Sequence, residues 1–100
     1  MFILNKSNKK DKKFMVITDT GKTIHFGATG YGDYIYYSKH NKELANTKKK
    51  NYIARHRVRE NFNNKYTAGF WALNILWNKP TLRGSINDTS RKHNIIIHII

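Results

Sequence analysis

The segment that most constrains the fold is residues 67–79, TAGFWALNILWNK. On a helical wheel only Asn74 and Asn78 form a polar strip, and apolar side chains cover most of the remaining circumference. A helix that is apolar nearly all round is buried, so the rest of the chain must wrap around it. Thr67 fits the N-cap position, and Pro80 ends the helix. The large side chains expected in the core are Phe70, Trp71, Leu73, Leu76 and Trp77.

Two segments have the composition of β-strands. Residues 13–26 predict a β-hairpin, because apolar and β-branched residues alternate on both sides of the turn Asp19-Thr20-Gly21. Residues 94–100, NIIIHII, hold five Ile and predict a strand that pairs with the hairpin or with another copy of itself. Residues 27–37 hold three Gly and four Tyr and predict a turn with packed tyrosines. This turn is not a phosphate loop, because no Lys-Ser or Lys-Thr follows its last Gly and no helical pattern opens there.

A second helix is predicted over residues 51–62. Ala54, Val58 and Phe62 recur every four residues and would form one apolar stripe, while Arg55 and Arg59 occupy another flank. The preceding residues 38–50 are polar and predict a solvated connection with at most a helical turn near residues 43–45.

A third helix is predicted over residues 81–92. Pro80 is favoured at a first helical position, and Leu82 and Ile86 are four residues apart. Gly84 weakens this pattern. A polar stripe would consist of Arg83, Asn87 and Arg91.

These segments predict an α+β fold, in which a small antiparallel sheet packs on two or three helices. The sheet would combine the hairpin with the C-terminal strand. A length of 100 residues fits one domain, expected over residues 13–100. Residues 1–12 are expected to be a basic flexible arm, and a short strand over residues 2–4 is the alternative.

The charge of the chain indicates a polyanionic partner. There are 19 Lys and Arg residues against six Asp and Glu, which gives a net charge of +13. Codon bias in an AT-rich genome raises Lys content but does not explain the shortage of acids. Residues 39–65 carry nine basic and two acidic residues, so over half of the net charge is concentrated there. The candidate nucleic-acid-binding residues are Lys9, Lys10, Lys12, Lys13, Lys39, Lys42, Lys48, Lys49, Lys50, Arg55, Arg57, Arg59 and Lys65.

Several function classes lack their signatures. Without cysteine the chain has no disulfide scaffold, thiolate zinc finger or cysteine nucleophile, and no apolar run approaches the roughly 20 residues that span a membrane. The run Arg55 to Glu60 could supply a His base, an Arg clamp and a Glu metal ligand, but Glu60 is expected to form an ion pair with a neighbouring base instead, for example Arg57. The remaining His, Asp and Glu residues match no catalytic spacing. We therefore expect no enzyme activity, cofactor or metal.

Three strings resemble a known family: KKFMVITDTGKTIHFGATGYGDY, YIARHRVRENF and TAGFWALNILWNKPTLRGSI. They are similar to small basic proteins encoded by large nucleocytoplasmic DNA viruses, and the resemblance runs from about Lys13 to Ile86. It implies origin in a large DNA virus and a virion or genome-associated role. The corresponding location is the virion core or the virus factory in the host cytoplasm. The resemblance supplies no catalytic residues.

The expected function is sequence-independent binding of double-stranded DNA, or of RNA, to compact or organise a viral genome. Phosphate neutralisation would provide the affinity. Self-association through the C-terminal strand would provide bridging between duplexes. The alternative is a minor structural component of the virion that contacts only proteins. A further interpretation is stacking on unpaired bases by Tyr31, Tyr34, Tyr36 and Tyr37.

Overall fold

The computed structural model describes residues 1–100 and contains one four-stranded sheet. Strands β1 (Phe2–Lys6), β2 (Lys12–Ile17) and β3 (Thr23–Ala28) are antiparallel neighbours, and β4 (Ile97–Ile99) pairs in parallel with β1. The strand order is therefore β3-β2-β1-β4. The predicted hairpin is confirmed by β2 and β3. The sheet is mixed rather than antiparallel, because β4 runs parallel to its partner, and this partner is β1 rather than a strand of the hairpin.

Strand β1 corrects the prediction of a flexible arm over residues 1–12. Phe2 and Leu4 are 2% and 0% exposed, and the Phe2 ring centroid lies 5.5 Å from that of Trp71. Each buried side chain of this size stabilises the fold by about 1.5–3 kcal/mol. The alternative of a short strand is thus confirmed. The lysines of this segment lie in a structured region, because Lys6 ends β1, Lys9 and Lys10 occupy the connection, and Lys12 begins β2.

The helices number four, one more than the upper expectation. They are α1 (Tyr34–His40), α2 (Lys42–His56), α3 (Ala68–Trp71) and α4 (Leu82–His93). Helix α3 continues without interruption into a π-helical segment, Ala72–Leu76. The fold is α+β, as predicted, and the sheet packs against α3 and the π-helical segment.

Helices α1 and α2 replace the solvated connection predicted over residues 38–50. Each begins at a side-chain cap: Asp33 Oδ1 accepts from the Tyr36 amide at 3.0 Å, and Asn41 Oδ1 accepts from the Leu44 amide at 3.1 Å. Only Ala45 and Tyr52 are buried on α2. The helix therefore has no apolar stripe from which its 15 residues could have been recognised.

The helix predicted over residues 51–62 is correct only in its first half, because α2 ends at His56. The predicted apolar stripe is wrong: Ala54 is exposed and Val58 is 77% exposed. The side chain that anchors this part of α2 is Tyr52, whose ring stacks on Trp77 at a centroid distance of 4.6 Å. One aromatic contact thus takes the place of the stripe.

The predicted central helix lies in the core as expected. Phe70, Trp71 and Leu76 are at most 2% exposed, and Leu73 and Trp77 are half-buried. Thr67 is the N-cap, as predicted, and its Oγ1 accepts from the Phe70 amide at 3.3 Å. The backbone widens in the π-helical segment, where the Trp77 amide donates to the Ala72 carbonyl at 3.2 Å.

Asn74 departs from the expected polar strip of this helix, because it is buried at 7% exposure. Its Nδ2 donates to the Phe70 carbonyl at 2.8 Å, and its own carbonyl accepts from Thr89 Oγ1 at 3.1 Å. Hydrogen bonding removes the penalty of burying its amide. Asn74 therefore joins the central helix to α4.

Helix α4 begins at Leu82 rather than at Pro80, and its N-cap is Thr81, whose Oγ1 accepts from the Gly84 amide at 3.0 Å. Asp88 is buried on its inner face and accepts from Asn78 Nδ2 and from Arg91 Nη2, both at 2.9 Å. The Asn78 hydrogen bond and the neighbouring cations hold the pKa of the Asp88 carboxyl below its usual range. The polar stripe predicted for this helix is exposed, as expected: Arg83, Asn87 and Arg91.

Candidate nucleic-acid interface

The connection between β1 and β2 carries lysines, and hydrogen bonds with two hydroxyl side chains hold its backbone in place. Ser7 Oγ is hydrogen-bonded to His25 Nδ1 at 2.7 Å and accepts from the Lys9 amide at 3.0 Å. Thr29 Oγ1 donates to the Lys10 carbonyl at 3.2 Å. The resulting shallow groove, here called the lysine groove, is lined by Lys6, Ser7, Asn8, Lys9, Lys10, Lys12, Lys13, Phe14 and Thr29. No acidic side chain lines it.

A second concave surface lies between the sheet and helices α1 and α2. It is a cleft of about 340 Å³, here called the aromatic cleft. Its cationic lining residues are Lys13, Lys48 and Arg55, with His56 beside them. Its aromatic lining residues are Tyr31, Tyr37, Tyr52 and Trp77. Positive charge and π-surfaces are therefore present in one cavity.

Lys13 connects the two surfaces, because it lines both the lysine groove and the aromatic cleft. Its Nζ donates to the Tyr31 carbonyl at 2.6 Å and to Asp33 Oδ2 at 2.7 Å. Asp33 is the one acidic residue of the cleft, and its charge is compensated by this ion pair. The lysine at position 13 thus fixes the loop that carries Tyr31 and links the groove to the cleft.

An aromatic stack forms the wall of the cleft beside α2. The Tyr52 ring lies between His56, at 4.2 Å, and Trp77, at 4.6 Å and an interplanar angle of 9°. Burial, with the nearby Glu60 carboxylate, raises the pKa of Tyr52 to about 12. The phenol is therefore neutral near pH 7 and keeps its O–H as a hydrogen-bond donor.

Glu60 lies beside a neighbouring base, as predicted, but that base is His56 rather than Arg57. Its Oε2 lies 3.6 Å from His56 Nδ1, one helical turn before it. Gly69 allows this position, because a Cβ there would lie 2.8 Å from Glu60 Cδ and Oε2. No group of three or more His, Cys, Asp or Glu side chains is placed to hold a metal ion.

The structure brings together six of the predicted site residues on the two connected surfaces. Lys9, Lys10 and Lys12 line the lysine groove, Lys48 and Arg55 line the aromatic cleft, and Lys13 lines both. The sequence prediction did not include Lys6, Tyr52 or Trp77 among the site residues. The sequence offers one indication that Tyr52 belongs to the site. Tyr52 lies three and four residues before Arg55 and His56, and residues at this spacing share a helix face.

The other predicted site residues line neither surface. Lys49 is half-buried, donates to the Asn78 carbonyl at 2.8 Å, and lies 4.8 Å from the Tyr34 ring centroid. Burial, together with the charges of nearby lysines, lowers its pKa. Lys65 lies over the Phe2 and Tyr66 rings. The remaining five are Lys39, Lys42, Lys50, Arg57 and Arg59, all exposed.

None of the helices combines the length and the apolar character that a bilayer-spanning segment needs. No curated protein and no solved structure matches the chain. A protein-family model matches residues 2–56, which contain β1 to β3, α1 and α2. That region includes every residue of the lysine groove and most of the aromatic cleft. Since the matched residues make up more than half of the chain, the chain belongs to the family of unknown function DUF5754.

Proposed function

We propose that the protein binds nucleic acid, double-stranded DNA foremost, without sequence specificity. The observation that carries this proposal is the continuity of the lysine groove and the aromatic cleft through Lys13. Among the residues that line these two surfaces only Asp33 is acidic, and it is already paired, so a negatively charged backbone could follow both. Release of counterions from the neutralised phosphates would supply the affinity.

The supply of free cations supports the proposal. Of the 19 Lys and Arg side chains, only Lys13, Arg91 and Lys92 form ion pairs with a carboxylate. The others have no carboxylate within ion-pair distance, so a polyanion relieves their mutual repulsion. Lysine predominates over arginine on the two surfaces, and its compact charge on a flexible stem suits phosphate contacts that do not depend on base sequence.

The biological role that we propose is compaction or organisation of a genome. The resemblance to proteins of large nucleocytoplasmic DNA viruses supports a viral genome, and with it a location in the virion core or in the virus factory. Compaction needs a protein that neutralises phosphates and also bridges separate duplexes. Bridging requires either two nucleic-acid surfaces or self-association.

Arg55 and Arg59 provide a matched pair for testing the surface. Both are exposed and four positions apart, but only Arg55 lines the aromatic cleft. We expect Arg55→Gln to reduce the slope of log affinity against log salt by about 0.9, the contribution of one phosphate contact. Arg59→Gln should leave the slope unchanged. Fluorescence anisotropy with several random-sequence duplexes measures both slopes. The slope of each variant should be the same for every duplex sequence.

Two results would refute the proposal. One is an absence of salt-dependent binding by the unmodified protein. The other is an equal effect of Arg55→Gln and Arg59→Gln on the slope, which would make the charge of the molecule, rather than this surface, the source of affinity.

A second candidate function, contact with other protein chains, is favoured by strand β4. This strand is at the edge of the sheet, and Ile96, Ile99 and Ile100 are 66%, 49% and 78% exposed. Unpaired strand edges bind other strands, so a second copy of the chain could extend the sheet here. The same contact would provide the bridging that compaction needs.

Ile99→Lys tests this edge contact, because an edge lysine opposes strand pairing. We expect light scattering to give a larger mass for the unmodified protein than for Ile99→Lys. Val58→Lys is the control, since Val58 is 77% exposed in the loop after α2 and should leave the mass unchanged. A single monomeric mass for all three proteins would exclude self-association through β4.

A further inference from the structure

We propose that the aromatic cleft holds one unpaired nucleotide, with its planar base against aromatic rings and its phosphate against the cations of α2. This inference rests on the proposed function and adds a ligand to it. Contact with the phosphates of a duplex requires neither a cavity nor aromatic rings. The aromatic cleft is a cavity with four aromatic rings, whereas the lysine groove is shallow and is lined by one aromatic side chain, Phe14.

Tyr31 supplies the stacking surface. It is 76% exposed at the rim of the cleft, and no other aromatic ring of the protein packs against it. Its backbone is held in place, because the Tyr31 carbonyl accepts from Lys13 Nζ at 2.6 Å. A large ring kept in solvent on an anchored loop offers its face to a base, and such stacking tolerates any base because every base has a π-face.

The opposite walls of the cleft are rigid. The Tyr37 ring lies directly on the Gly32 backbone, since a Cβ at position 32 would be 2.8 Å from Tyr37 Cζ. Tyr52 is held between His56 and Trp77. The cleft volume of about 340 Å³ is near the lower end of the range of about 300–1,000 Å³ for small-molecule sites. This size suits one nucleotide rather than a longer segment.

The charge of the cleft selects an anion. Lys48 and Arg55 are two turns apart on one face of α2 and have no carboxylate partner. Asp33 is neutralised by Lys13, so the two α2 cations remain available to a phosphate. Asn51, between them on the same helix, adds an amide that can donate to or accept from the edge of a base.

The test compares a blunt duplex with the same duplex carrying a short single-stranded end, by fluorescence anisotropy at one salt concentration. Base–aromatic stacking predicts that the unmodified protein prefers the single-stranded end by about 5- to 150-fold. We expect Tyr31→Ala to remove this preference and Tyr31→Phe to keep it, where the preference is the ratio of the two affinities measured for the same variant. Tyr36→Ala is the control, because Tyr36 is 53% exposed but does not line the cleft.

A parallel titration with AMP and TMP, followed by tryptophan fluorescence, distinguishes the source of the nucleotide. Quenching that Tyr31→Ala abolishes would show that a free nucleotide suffices. Preference for the single-stranded end without such quenching would restrict the site to a nucleotide within a strand. The inference is overturned if the unmodified protein has neither property, or if Tyr31→Ala keeps them. Salt-dependent binding of the blunt duplex would survive that outcome, so the proposed function is tested separately.

Discussion

Removal of residues 1–6 is expected to unfold the protein. Strand β1 lies between β2 and β4, so its loss leaves β4 without a partner in the sheet. Burial of Phe2 and Leu4 alone stabilises the fold by about 3–6 kcal/mol, at about 1.5–3 kcal/mol for each side chain. The free energy of unfolding of a whole domain is about 5–15 kcal/mol. Far-UV circular dichroism and thermal melting should show no cooperative transition for the truncated protein.

Two variants make this result interpretable. Leu4→Ala removes one fully buried side chain and should lower the free energy of unfolding by about 2–5 kcal/mol. Replacing Lys9 and Lys10 by Gln changes exposed residues of the adjoining loop and should leave the melting temperature nearly unchanged. A truncated protein that melts like the full chain would mean that the segment is a dispensable arm and that this sheet order is wrong.

Neutralising five cations of the two connected surfaces is expected to have the largest effect on binding. The variant replaces Lys9, Lys10, Lys12, Lys48 and Arg55 by Gln. Five lost phosphate contacts reduce the slope of log affinity against log salt by up to about 4.5 units. Between about 50 and 200 mM salt, the unmodified protein should then lose up to about 500-fold more affinity than the variant. Anisotropy titrations over that range measure the difference.

The control has the same change in net charge at five exposed cations that line neither surface. These are Lys22, Lys39, Lys42, Arg59 and Arg83. Their replacement by Gln should change the slope much less, because the number of counterions released depends on the number of phosphates contacted and not on the total charge of the protein. Equal slopes for the two variants would show that basic residues anywhere on the protein contribute equally to binding, and would exclude a defined nucleic-acid surface.

Parts of the fold with a strong local pattern could be predicted from the sequence. The turn at Asp19-Thr20-Gly21 identified the hairpin, and Gly21 takes a positive φ of 86° there. The apolar circumference of residues 68–76 identified the buried helix, and Thr67 its start. The first part of helix α2 was not predicted, because only Ala45 and Tyr52 are buried on this helix and the sequence shows no hydrophobic periodicity over residues 42–50.

The candidate site could be predicted only as a charge excess and a cluster of tyrosines, of which Tyr31 and Tyr37 line the aromatic cleft. Six of the 13 predicted residues lie on the two connected surfaces, and the sequence did not separate them from the others. The contacts that define the site join distant parts of the chain. Lys13 meets Asp33 in the turn before α1, and Tyr52 meets Trp77 across the loop between α2 and α3. No local pattern encodes such pairs.

The parallel pairing of β1 with β4 also sets the order in which the molecule can assemble. Strands β1, β2 and β3 are joined by short connections and can pair early. Pairing of β1 with β4 joins Phe2 to Ile97, which is 95 residues away along the chain, and is therefore expected later. Closing so long a loop costs conformational entropy before the new pair returns any stabilisation. Until β4 docks, β1 keeps an open edge beside an incomplete core. The molecule is therefore most prone to aggregate during this last step of folding.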